Sequence, residues 1–160
     1  MENILFILIT YRNIKVYFGY SQESIKKVCL KLYKTGRTNA NDGGIDFVMR
    51  PVGRFFQVTE VSNYDKYLLD IDKVMHFPIT FVIKTKQSKN DILSELEKHI
   101  RTRSSGMTVL ENRYRKAIEE IITINELQIW IQELDDSDID RIIRDIDIYF
   151  KLEMNMEENE

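Results

Sequence analysis

The chain has 160 residues, 43% of them apolar, with 23 basic and 26 acidic side chains and one cysteine, Cys29. That length suits a single domain of ~100–200 residues, the lone cysteine excludes a disulfide-stapled scaffold and points to a reducing, cytoplasmic setting, and the longest apolar run, Ile4–Ile9, is too short for a membrane span of ~20 residues. The net charge of -3 conceals a split: residues 1–90 carry 14 Lys/Arg against 8 Asp/Glu and residues 126–160 carry 3 against 12, which excludes a uniformly basic nucleic-acid coat but allows a basic working half.

In chain order, Asn3–Thr10 and Ile14–Tyr20 are rich in β-branched and aromatic residues and read as a strand pair around Tyr11–Asn13. Ser21 then reads as an N-cap, with Ile25, Val28, Cys29 and Leu32 at helical spacing up to a stop at Gly36. Such a helix would carry Lys26, Lys27, Lys31 and Lys34 on its outer face, and Cys29 in its apolar stripe. Residues 36–44 (GRTNANDGG) form a loop. Ile45–Met49 and Phe55–Val61 are predicted to pair as an antiparallel hairpin around the turn Arg50–Gly53. A helix over Asn63–Met75 and an apolar strand over Ile79–Thr85 complete a crossover to a parallel neighbour.

Ser88 is expected to cap a helix to about Arg103, and Thr108–Ile122 to form another. Leu127–Gln132 alternates like a strand. Residues 135–138 cap a last amphipathic helix with an isoleucine stripe, and residues 154–160 make an acidic tail. The expected architecture is α/β (α+β), one domain over residues 1–153 with a core at 21–85 and a helical part at 88–153.

The densest chemistry lies in residues 41–60, NDGGIDFVMRPVGRFFQVTE. Side chains alternate along a strand, so Gln57 and Thr59 share one face while Phe56, Val58 and Glu60 share the other. Across the hairpin, Asp46 approaches the Gln57/Thr59 face. One face thereby presents a carboxylate, an amide oxygen and a hydroxyl, the hard donors that Mg²⁺ takes alongside water and phosphate. Glu60 points the other way and reads as a surface charge.

The run DGGIDF, a short turn and FFQV, flanked by a helix and by a helix–strand unit, resembles the PD-(D/E)xK nuclease superfamily. Within it the chain is similar to Mrr-like and type II restriction endonucleases with Gln in the second acidic position. The resemblance covers roughly residues 21–85. It implies a restriction-endonuclease-like mixed sheet flanked by helices, and a Mg²⁺- or Mn²⁺-dependent endonuclease acting on double-stranded DNA. Asp46 and Gln57 would be metal ligands, with Glu23 as an accessory acid. Cutting two strands with paired sites would call for a homodimer.

One position departs from that pattern. The family places Lys where this chain has Thr59, and a hydroxyl lacks the ammonium's charge and three donors. Either Lys84, Lys66 or Arg54 supplies the cation, or the protein is a catalytically inactive DNA-binding or protein-interaction member of the fold. Lys26, Lys27, Lys31, Arg37 and Arg54 are the candidate phosphate-backbone contacts. The two histidines, His76 and His99, lack metal-ligand spacing.

Overall fold

The computed structural model describes residues 13–17, 25–35, 45–60 and 63–153. Two strands open it: β1 (Asn13–Tyr17) pairs antiparallel with β2 (Ile25–Cys29), in the register Asn13↔Cys29 to Tyr17↔Ile25. A second sheet has five strands in the order β3 (Lys31–Lys34), β4 (Phe47–Arg50), β5 (Arg54–Thr59), β6 (Ile79–Ile83) and β7 (Ile118–Thr123). β4 and β5 are antiparallel, while β5, β6 and β7 run parallel, so the sheet is mixed. The helices are α1 (Tyr64–Lys73), α2 (Lys89–Ser104), α3 (Thr108–Ala117), α4 (Ile124–Gln132) and α5 (Asp136–Glu153). Contacts divide the chain into two compact units, residues 33–126 and a unit joining residues 1–32 with 127–160. Among the described residues no helix is long and apolar enough to cross a membrane.

Local chemistry accounts for the unit at residues 33–126. The hairpin closes with Gly53 at φ 69, a conformation that costs glycine little, and its N–H donates to Met49 O at 2.8 Å. Asn63 caps α1 by accepting the Asp65 N–H (3.1 Å), and Ser88 caps α2 by accepting the Asp91 N–H (3.2 Å). α1 carries β5 over to its parallel neighbour β6, as the crossover pattern requires. β6 is buried along its whole length, which is why ITFVI is apolar at every position but Thr80. Its Ile79, Phe81 and Ile83 pack in one cluster with Tyr67, Leu68 and Ile71 of α1 and Ile92, Leu96 and Ile100 of α2.

Three expectations are corrected, and one falls partly outside the described residues. Residues 25–34 form β2 and β3 and not a helix, so the shared helical face of Lys26, Lys27, Lys31 and Lys34 does not exist. Their apolar residues fit two periods, and the ladder with β1 decides for strand. β1 pairs with β2; its expected partner, Asn3–Thr10, lies outside the described residues. The helix expected over Thr108–Ile122 ends at Ala117, and the β-branched run Ile118–Thr123 joins the sheet as β7. Leu127–Gln132 is helical. The decisive signal is a capping box at Thr123, whose N–H and hydroxyl donate to Glu126 Oε2 at 2.7 and 2.6 Å.

Candidate functional site

Asp46 stands at the entrance to β4, just before the pair Phe47↔Phe56, where its backbone bonds Phe56 one residue out of the ladder's register. Three hydrogen bonds fix it. Its N–H donates to Phe56 O (3.0 Å), its carbonyl accepts the Thr35 N–H (2.9 Å), and its Oδ2 accepts the Val58 N–H (2.7 Å). The carboxylate is thus held on the edge of β5 by a backbone donor in the middle of the QVT run.

Gln57 is 8% exposed, and its Oε1 has no hydrogen-bond partner among the described residues. A buried acceptor left unmatched costs about 1–3 kcal/mol, so such a group calls for an explanation. The parallel register Gln57↔Phe81 and Thr59↔Ile83 places Gln57 and Thr59 on the face that α1 covers. Thr59 is 7% exposed and hydrogen-bonds the hydroxyl of Tyr67. Burial pushes the Tyr67 phenol up to about 12, against the opposing effect of the Thr59 bond, so Tyr67 stays neutral.

The candidate cations are distributed differently. Lys84 follows the last residue of β6; its N–H donates to Thr59 O (2.9 Å) and its Nζ pairs with Glu60 Oε1 at 2.7 Å. That ammonium holds the Glu60 carboxyl below the usual range. Glu60 is the surface charge its strand position predicted. Lys66 lies on the exposed side of α1, and Lys31 is exposed on β3. Glu23 and Arg37 lie outside the described residues, and of Lys26 and Lys27 only the backbone in β2 is described.

Arg54 belongs to a separate constellation on the opposite face of β5. Its Nε donates to the buried Thr80 hydroxyl (2.8 Å), its guanidinium pairs with Glu120 and with Glu119 (3.2 Å), and it lies 5.3 Å from the Phe56 ring centre. A register shift between Ile79 and Thr80 brings both glutamates to one arginine. Reading residues 118–122 as helix concealed this pair. Arg54→Met should lower the unfolding free energy by about 1–3 kcal/mol, because it strips a buried hydroxyl and two adjacent carboxylates of their donor. Urea denaturation checks this, and an unchanged midpoint would show the network to be idle.

The donor set can be tested against a divalent ion. Among the described residues no three His, Cys, Asp or Glu side chains cluster. Mg²⁺ does not need three, since it commonly keeps several waters and takes one or two protein oxygens plus phosphate. The Asp46 carboxylate and the unmatched Gln57 amide oxygen are donors of the type that Mg²⁺ takes. No family model, curated protein or solved structure matches the chain.

Proposed function

We propose that this chain is a Mg²⁺- or Mn²⁺-dependent DNA endonuclease with a restriction-endonuclease-like fold, hydrolysing phosphodiester bonds in double-stranded DNA. The observation that carries the reading is the buried, unmatched Oε1 of Gln57 on the strand whose next residue, Val58, holds the Asp46 carboxylate through its N–H at 2.7 Å. The antiparallel hairpin followed by a helical crossover to a parallel strand supports the fold assignment.

Asp46 and Gln57 would hold the ion, whose chemistry when bound is to polarise a phosphoryl oxygen and lower the pKa of a carried water. The Val58 N–H orients the Asp46 carboxylate, which keeps one oxygen edge fixed whatever else binds. Gln57 offers a neutral oxygen that costs less to bury than a second carboxylate. Thr59 donates no charge; its partner Tyr67 closes the floor beneath it. Lys84 is the proposed cationic contact to the substrate strand, reached by exchanging Glu60 for the substrate. A homodimer would supply the second site for the second strand, and a cytoplasmic restriction–modification setting goes with the reading.

A second reading rests on an observation of its own: Thr59 is committed to Tyr67 and Lys84 to Glu60. On that reading the protein is a catalytically inactive DNA-binding or protein-interaction member of the fold. Plasmid cleavage with Mg²⁺, with Mn²⁺ and with EDTA separates the two. Metal-dependent nicking supports the enzyme, whereas salt-sensitive DNA binding without cleavage in either metal supports the second reading.

A further inference from the structure

A cavity of about 70 Å³ opens past the carboxyl ends of β5 and β6, away from the Asp46–Gln57 pair. Its floor is apolar and aromatic, made by Tyr64 and Tyr67 of α1 with Ile83 and Ile92. Its rim is polar: the Lys84–Glu60 ion pair (2.7 Å) stands beside Thr85 and Gln87, and Gln87 Oε1 accepts the Tyr64 hydroxyl at 3.3 Å. In open α/β sheets the crevice beyond the carboxyl ends of parallel strands is where ligands bind.

Size and lining narrow the ligand. Taking ~10–15 Å³ of such space per water, the cavity holds roughly five waters. That accommodates one small planar ring and leaves a sugar and a phosphate outside. Flat apolar walls below a rim offering an ammonium donor, a carboxylate acceptor and an amide with both match a ring with apolar faces and an alternating donor–acceptor edge. An inorganic anion would leave the tyrosine and isoleucine walls unmatched and would face Glu60. A free amino acid would place its own charges on the apolar floor.

We propose that this cavity is a nucleobase pocket that receives a pyrimidine from the strand being cut, taking its edge on Lys84, Glu60 and Gln87. The inference rests on the nuclease reading for its substrate. Three residues at ~3.3 Å each put the pocket mouth about 10 Å from Gln57, within reach of a nucleotide adjoining a phosphate held there. Entry of the base redirects Lys84 and Glu60 from each other to the ring edge, so recognition uses a pair already in place. The pocket selects which nucleotide lies next to the scissile bond, while Asp46 and Gln57 serve the bond itself.

The test uses neutral deoxynucleosides, which need neither metal nor phosphate contacts, titrated into the full chain and followed by backbone amide NMR. Deoxycytidine or thymidine should shift the amides of Glu60, Lys84, Thr85 and Gln87 saturably. Lys84→Met and Gln87→Ala should each weaken that binding about tenfold, while Asp46→Asn leaves it unchanged. Tyr64→Phe, which keeps the ring and removes the hydroxyl, should bind within a few-fold of wild type. Silence of those amides, or equal shifts from glycine or ribose 5-phosphate, overturns the pocket assignment even if the protein cuts plasmid. Nucleoside binding in a protein that cuts nothing upholds the pocket and removes the nuclease reading.

Discussion

Replacing Asp46 with alanine is expected to abolish Mg²⁺-dependent cleavage of plasmid DNA. Two effects are combined in that variant. The carboxylate that would hold the ion is gone, and the Val58 N–H loses its acceptor, which costs about 1–3 kcal/mol of stability. Asp46→Asn separates them, because an amide oxygen still accepts from Val58 while the charge is lost. Its thermal midpoint should stay near wild type while cleavage falls at least about a hundredfold, on the order of 3 kcal/mol in the barrier. Full activity in a clean Asp46→Asn preparation would remove Asp46 from the site. In wild type, Gln57 is the complementary probe: Gln57→Leu fills the same volume and matches no ion, so it should lose cleavage while gaining or keeping stability.

Phe81→Ala is expected to have the largest effect on stability. Phe81 is fully buried at the centre of β6, its ring 5.0 Å from that of Tyr67 and its register partner Gln57. Truncating a buried phenylalanine costs about 3–5 kcal/mol through lost transfer energy and the cavity left behind. Against a total of about 5–15 kcal/mol, that is a large share. At ~2–4 °C per kcal/mol the midpoint should fall by about 10 °C. Cleavage should fall as well, since Gln57 and Tyr67 lose the ring that positions them. A midpoint within about 2 °C of wild type would mean the cluster around β6 is not the core of this unit.

The hairpin, α1, β6 and α2 were legible because several signals agree there. The turn at Arg50–Gly53, the caps Asn63 and Ser88, and the strongly apolar ITFVI each point to one structure. Residues 25–34 were not legible as strands, because Ile25, Val28, Cys29 and Leu32 match a helical stripe as well as they match strands. Only the long-range ladder with β1 resolves that choice, and pairing at a distance leaves no local mark. At α4 a local mark did exist: Thr123 and Glu126 three apart form a capping box, outweighing the alternation of LQIWIQ.

The candidate site divides in the same way. Strand alternation alone put Gln57 and Thr59 on one face. What fills the space around Thr59 required the fold, since Tyr67 reaches it only after the turn into α1. The Arg54 network was hidden for the reason that hid β7: its two glutamates converge through a register shift that no linear pattern announces.

Asp46 and Gln57 are proposed to hold one divalent ion jointly. Mn²⁺ titrated into the labelled chain tests it most directly, because a bound paramagnetic ion broadens nearby amide resonances irrespective of catalysis. Saturable broadening centred on Asp46, Gln57 and Val58, competed by Mg²⁺ and lost in Asp46→Asn, is expected. Broadening centred instead on Glu119 and Glu120, or none at those three amides, would contradict it.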